Sequence, residues 1–376
     1  MSYKKSDSIK NIVIVGGGGA GQTAARTLSQ KLDASKYQII LIDPRPYRVL
    51  LPATLRVVTA DTDNLAEEAF VPYDRTILNN AGQFVQGKVV SISSHSEKAG
   101  TVTLESGETI EYAYLVLATG AIWRGPVNFP NQKSEVTAFI NKVRADIKDH
   151  NDIVLVGAGA VGVEFSGEIK DIYPNKNVTI VQGGSLPFTD VYPLKFRKAM
   201  EKRILGRGIK LIYNEYIDEI PEGPITSLKT RGGKTIKADI VFDTRGPSPN
   251  TSVISSSLGA SAVTERGLVK VTPTLQLPSH PNIYAAGDIL DIKEEKQLAK
   301  AHTHAAIVAG NILASIAGQP LKPYKGSPEM ILATLGKNGG AAYLGFLWGL
   351  VFGDWFARMA KSKTLMVPML RKAVGY

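Results

Sequence analysis

No cysteine occurs anywhere in the 376 residues. That absence excludes disulfides, thiolate zinc or iron–sulfur sites, a cysteine nucleophile and a Cys-x-x-Cys redox pair. Any redox chemistry must therefore belong to a bound cofactor. Long apolar runs are also missing: the longest, Ala341 to Gly353, spans 13 residues, against the ~20 a spanning helix needs. The opening Met-Ser-Tyr-Lys-Lys-Ser has neither the apolar core of a signal peptide nor the arginines of a transit peptide. No glycine follows Met1 for myristoylation, and without a thiol there is no prenyl or palmitoyl attachment. A cytoplasmic chain, soluble or peripheral to a membrane, is expected. Histidine is scarce at 5, and only His302 and His304 lie close together. Two positions apart on a helix they face different ways, so no metal site is expected. A basic run with interleaved aromatics is absent as well, which argues against nucleic acid as a partner.

What is present is an ordinary globular composition, 44% hydrophobic and 21% charged, with room for two or three domains at roughly 100 to 200 residues each. Net charge is +10, which favours anionic partners such as dinucleotides or phospholipid headgroups. From Asp291 onward there are 11 Lys and Arg against 5 Asp and Glu, so over half the excess lies in the last quarter.

One pattern occurs twice. Asn11 to Val15 reads as a buried strand, followed by the cluster Gly16-Gly17-Gly18-Gly19-Ala20-Gly21, a helix near 20–32 and a second strand ending on Asp43. Ile153 to Val156, then Gly157 to Gly162, a helix near 160–172 and Val178 to Val181 ending on Gln182 repeat it. Both clusters have the Gly-x-Gly-x-x-Gly spacing between a strand and a helix, the context that gives the match weight. The first glycine permits the turn, the second lets backbone approach a pyrophosphate, and the third lets the helix pack on the strand. Free N–H groups at the helix N-terminus attract the phosphates. Asp43, 22 residues past Gly21, stands where a carboxylate accepts ribose hydroxyls. Gln182, 20 residues past Gly162, bonds a hydroxyl without repelling a 2′-phosphate, which predicts a site permissive for NADH and NADPH.

Three further phrases punctuate the chain. Tyr114 to Leu117 is a buried strand followed by Ala118-Thr119-Gly120, and Ile240 to Phe242 runs similarly into Asp243-Thr244-Arg245-Gly246. A strand from Asn282 runs into Gly287-Asp288, where a carboxylate needs hydrogen-bond partners, and a helix follows over about 298–315. The first turn of that helix, Lys300 and Ala301 through Thr303, presents N–H groups that favour a negatively charged ligand.

In this order these elements resemble the two-dinucleotide-domain flavoproteins, including ferredoxin reductases, type II NADH dehydrogenases and apoptosis-inducing factor. Their fold is α/β, with two Rossmann-like dinucleotide-binding domains; here a small C-terminal α+β domain is expected to follow. Leu51-Pro52-Ala53-Thr54-Leu55-Arg56, Gly157 to Phe165, Leu335 to Gly340 and Ala360 to Leu365 look like the narrower ferroptosis suppressor group, its fungal members in particular. The resemblance implies FAD on the first cluster and NAD(P)H on the second. It implies an FAD domain split over 1–120 and 251–325, an NAD(P)H domain over 121–250 and the C-terminal domain over 326–376. By position, Arg56 and Val89 would join the FAD contacts, Asp288 would bind the ribityl chain, Glu164 would face the nicotinamide and Lys361 the quinone pocket. The implied reaction is reduction of a ubiquinone-type quinone by NAD(P)H through FAD; a protein carrier such as ferredoxin, or a redox-sensing effector role, are the alternatives. A monomer or homodimer is expected. Peripheral contact with a lipid droplet or the mitochondrial outer membrane would fall to the C-terminal region, with Phe346, Trp348, Phe352, Trp355 and Phe356.

Overall fold

The structure, a computed structural model, describes residues 3–4, 8–62, 64–96 and 99–376. The β-branched run after Lys10 forms the strand Lys10–Val15, buried along all but its first residue. A central parallel strand is covered on both faces, so a continuous apolar run rather than an alternating one is what the position requires. This strand sits inside a six-stranded sheet in the order 276–277, 280–285, 114–117, 10–15, 37–43 and 82–86. Its strands come from both ends of the chain, and the segment between about 121 and 250 lies outside it.

That segment carries a second sheet, all parallel, in the order 210–213, 177–182, 152–156 and 240–243. Each central strand feeds a helix through a glycine cluster: Lys10–Val15 leads into Gly19–Ser29, and Asp152–Val156 into Ala160–Ile172. The first helix stops before the expected residue 32. Lys31 and Leu32 both return their amides to the Leu28 carbonyl, at 3.0 and 2.9 Å, closing a tight turn.

Several elements lie outside the motifs above, a helix and a meander among them. A helix over Lys133–Asp149 buries Val136, Ile140, Val143 and Ile147, a spacing that follows one helical face. A three-stranded antiparallel meander, Val89–Ser96, Ala99–Leu104 and Thr109–Tyr112, interrupts the six-stranded unit. The chain crosses between the units twice, and the crossings pair as an antiparallel strap, Ala121 with Pro249 and Ile122 with Ser248.

Residues 326–376 were expected as a small domain. They form the antiparallel strands Met330–Thr334, Gly340–Leu344 and Leu350–Phe352, then short helices and a π-helical turn over Arg358–Ser362. Instead of building a separate core, Ala333, Leu335, Ala341, Leu365, Val367 and Leu370 share one hydrophobic cluster with Ile153 and Leu155 of the four-stranded sheet. The apolar stretch 341–353 is split between two strands and a hairpin whose tip, Trp348, is 94% exposed. Among the described residues no helix is long and apolar enough to cross a membrane.

Candidate functional site

Both glycine clusters open on one cavity of about 800 Å³. From the six-stranded unit it is lined by Gly16, Gly18, Gly19, Ala20, Asp43, Ala118, Thr119, Gly120, Gly287, Asp288 and Ala301. From the four-stranded unit come Gly157, Gly159, Glu164, Gln182 and Gly246, and from the C-terminal segment Met330, Ile331, Leu332, Leu344 and Lys361.

Each cradle is built by steric necessity. Gly16 has φ +103°, and a Cβ there would lie 2.2 Å from the Ala118 carbonyl oxygen. Gly157 repeats the conformation at φ +113°. Gly21 and Gly162 do not reach the cavity: a Cβ on them would meet the carbonyl oxygens of Gly16 at 1.7 Å and Gly157 at 1.9 Å. They bring helix and strand together, leaving the N-terminal amides to face the cavity. Gly17 also stays out of the lining, and its amide donates to Asp43 Oδ2 at 2.6 Å.

Asp43 accepts a second amide, from Arg45, at 2.8 Å. Burial pushes its carboxyl up, and these two amides pull it back. In the second cradle Gln182 takes the corresponding place, its Oε1 accepting the Ala158 amide at 3.0 Å while Nε2 donates to the Leu186 carbonyl at 3.3 Å. Asp288 is pushed up by burial, with Lys296 opposing. The Thr119 hydroxyl donates to the Asn250 carbonyl at 2.5 Å, tying the third glycine-containing phrase to the strap.

Three residues lie elsewhere than the resemblance implied. Arg56 is outside the cavity because its guanidinium is taken by Glu168, with Nε and Nη2 each 2.8 Å from a carboxylate oxygen. Val89, implied to meet the adenine through its backbone, opens the meander with its side chain buried in the core and its backbone paired with Leu104, outside the cavity lining. Lys300 turns away from the cavity to Glu329, at 2.6 Å, while Ala301 and Leu298 of the same helix line it. His302 and His304 diverge: His304 pairs with Glu294 at 2.7 Å, and His302 faces the first cradle.

Arg48 is the residue that motif reasoning missed. It is buried and lines the cavity, donating to Gln22 Oε1 at 2.8 Å, and among the described residues no carboxylate pairs with it. Burial lowers its guanidinium to about 10. A Cβ on Gly19 would lie 3.4 Å from both Arg48 Nη2 and His302 Nε2, which places the two side chains at the helix N-terminus. His302 Nε2 is buried without a partner among the described residues, and burial, with Arg48 beside it, lowers the ring to about 4. A buried cation without a carboxylate partner among the described residues, set at a helix N-terminus, suits an anion there. The residues present fit the pyrophosphate of a dinucleotide.

Glu164, two residues past Gly162, meets Lys361 of the C-terminal segment at the cavity wall. Lys361 Nζ donates to Glu164 Oε1 at 2.6 Å and to the Leu332 carbonyl at 3.1 Å, and the Thr334 amide reaches the same Glu164 oxygen at 3.1 Å. The ion pair is largely buried, with side chains 13% and 9% exposed.

Comparison with known proteins agrees with this geometry. Residues 10–310 match the pyridine nucleotide-disulphide oxidoreductase family. An FAD-dependent oxidoreductase, FVFD30, of Flammulina velutipes is 43% identical over 320 residues, covering 85% of this chain and 99% of that one. Mouse ferroptosis suppressor protein 1 is 31% identical over 95% of this chain and 94% of its own length. Among solved structures, the sulfide:quinone oxidoreductase of Aquifex aeolicus superposes with a TM-score of 0.73 at 21% identity, covering 97% of this chain and 92% of that one. A ferredoxin reductase from Rhodopseudomonas palustris gives 0.69 at 23%, over 89% and 88%. These two likenesses concern the fold.

Proposed function

The chain belongs to the pyridine nucleotide-disulphide oxidoreductase family and is an FAD-dependent NAD(P)H oxidoreductase, and from that premise we propose that its acceptor is a quinone of the ubiquinone type. The disulphide chemistry in the family's name is closed to a chain without cysteine. One observation carries the proposal: the cavity that the glycine cradles line is also lined by the apolar Met330, Ile331, Leu332 and Leu344, with one buried ion pair beside them. An apolar slot with few placed polar groups suits a planar, lipid-soluble acceptor.

When bound, FAD supplies the hydride-accepting and electron-releasing chemistry. Gly16, Gly18, Gly19, Arg48, His302 and Asp43 would hold it, with Asp288 on its ribityl chain and the Ala118 to Gly120 turn beside it. Gly157, Gly159 and Gln182 receive NAD(P)H, and the neutral Gln182 tolerates a 2′-phosphate. Reducing a quinone to a quinol takes one proton beyond the hydride. Lys361 Nζ holds that proton beside the apolar residues and presents it to a quinone oxygen, and Glu164 holds the ammonium in place. We assign 1–120 with 251–325 to the FAD side and 121–250 to the nicotinamide side.

The wall's outer edge supports membrane supply of the acceptor. Leu344 lines the cavity and leads directly into the hairpin carrying the exposed Phe346, Trp348 and Leu350, and Trp355 and Met359 are exposed nearby in sequence. Arg358, Lys363, Arg371 and Lys372 in the same tail favour anionic headgroups.

Stopped-flow mixing with NADH or NADPH, then with a short-chain ubiquinone analogue, a ferredoxin or oxygen, tests the acceptor. Fast reoxidation by the quinone is expected; reoxidation by ferredoxin alone would overturn the reading. Flotation with anionic vesicles that survives Trp348→Ser would remove the hairpin from membrane contact.

A further inference from the structure

We infer that Arg56 and Glu168 are a positioning pair that holds Lys361 against Glu164, a reading that rests on the role of Lys361 proposed above. One guanidinium joins three parts of the chain. Arg56 belongs to the helix Leu51–Val57 of the FAD side and Glu168 to the helix Ala160–Ile172 of the nicotinamide side. Its Nη2 also donates to the Ser362 carbonyl at 2.8 Å and its Nη1 to the Lys363 carbonyl at 3.3 Å. Those carbonyls directly follow Lys361.

The segment they anchor has an unusual backbone, with the Lys363 amide on the Arg358 carbonyl at 3.2 Å and the Leu365 amide on the Lys361 carbonyl at 2.6 Å. Arg358–Ser362 is a π-helical turn, a form that occurs mostly as isolated turns at functional sites. It is followed by Leu365 and Met366 at φ +53° and +60°, conformations that persist only when surrounding contacts over-determine them. The planar fork of an arginine matches a carboxylate with two donors and still leaves donors for carbonyls, which a lysine cannot reproduce.

The register completes the argument. Glu164 and Glu168 are four residues apart on one helix and so share a face. Glu164 takes Lys361 Nζ at 2.6 Å, while Glu168 takes Arg56, which grips the next two carbonyls. The helix face is thus a two-point template: one carboxylate binds the lysine's head, and the other fixes its backbone through Arg56. The Arg56–Glu168 pair is buried, at 10% and 4% side-chain exposure, so removing one partner strands a charge, while replacing both with apolar side chains does not.

The test uses the flavin-loaded full chain with NADH and a short-chain ubiquinone analogue. Arg56→Lys is expected to lower kcat at least tenfold, with flavin content and KM for NADH unchanged. The double variant Arg56→Met with Glu168→Met is expected to melt no lower than the native chain and to show the same kcat loss. In a Lys361→Met background neither change should alter kcat more than twofold. Amide exchange over 358–366 of the flavin-free protein should rise in Arg56→Lys. Native kcat in Arg56→Lys or in the folded double variant, losses that add to that of Lys361→Met, or unchanged exchange would each overturn the positioning role. Native kcat in Lys361→Met itself would instead remove the role of Lys361, whatever the Arg56 variants do.

Discussion

The two dinucleotide cradles share a backbone and differ in how their charges are satisfied. Both place a positive-φ glycine, Gly16 or Gly157, under a glycine one helical turn on, and both close the second strand with a side chain that accepts a cluster amide. In the first cradle that acceptor is the carboxylate of Asp43, and the buried cation nearby, Arg48, has no carboxylate partner among the described residues. In the second it is the neutral Gln182, and the nearby cation, Arg245, is already held by Asp243 through two bonds of 2.8 and 2.7 Å. The first cradle therefore carries an unmet demand for an anion, which favours a dinucleotide that stays. In the second the polar groups are satisfied before anything binds, which favours a dinucleotide that comes and goes.

The harshest way to break the comparison is steric. Gly16→Ala forces a Cβ to within 2.2 Å of the Ala118 oxygen at φ +103°, and complete loss of bound flavin with a lowered Tm is expected. Gly159→Ala meets nothing within 4 Å; it should fold normally, keep its flavin and raise KM for NAD(P)H. Absorbance spectra and steady-state kinetics read both, and retained flavin in Gly16→Ala would refute the close approach.

Arg48→Met separates the cradles by charge. Loss of a charge-assisted contact, about 1.5–3 kcal/mol, weakens FAD retention roughly tenfold to a hundredfold, with KM for NAD(P)H unchanged. The flavin-free variant should melt higher than the native flavin-free chain, because the desolvated cation is gone. Dialysis followed by flavin fluorescence, and thermal melts, measure the two opposite effects; a lower Tm would show that Arg48 is satisfied without a ligand.

Gln182→Asp makes the second cradle imitate the first. The new carboxylate should cut kcat/KM for NADPH about tenfold, the size of roughly 1.4 kcal/mol of repulsion, and leave NADH within about twofold. Equal losses for both coenzymes would mean that Gln182 does not face the ribose.

The smallest effect is a pH limb in the first cradle. His302 titrates at about 4 in the fold, below the ordinary value of about 6.5. Between these values the unfolded chain binds a proton that the fold does not, so His302's contribution is full above pH 6.5 and is lost as pH falls toward 4. Melts of the flavin-free protein should show this decline, and His302→Leu should flatten it. An unchanged slope would place the limb on other groups.

The sequence carried what depends on backbone geometry. The glycine spacings, Asp43, Gln182 and Asp288 stand where short-range rules place them, and all but the packing glycines and Gly17 line the cavity. The helix over Lys133–Asp149 was missed, although the spacing of Val136, Ile140, Val143 and Ile147 signals it. Long-range choices were not legible. Arg56 is drawn from the cavity by Glu168, 112 positions away, and Lys300 by Glu329, 29 away. Arg48 lies in a three-residue strand, Tyr47–Val49, with no motif around it; only its burial beside Gly19 shows what it is for. The π-helical turn has no sequence signature, because tertiary contacts impose it.

The strap of 121–122 and 248–249 has a consequence for inheritance and engineering. Because the chain leaves and re-enters the flavin-side body at adjacent points, everything between them is a cassette with its ends already joined. If Gln182 sets coenzyme preference as proposed, exchanging that cassette would carry the preference with it, and the incoming segment would also have to supply Glu164 and Glu168. Coenzyme choice is thus portable between relatives only together with the helix face that receives the C-terminal lysine.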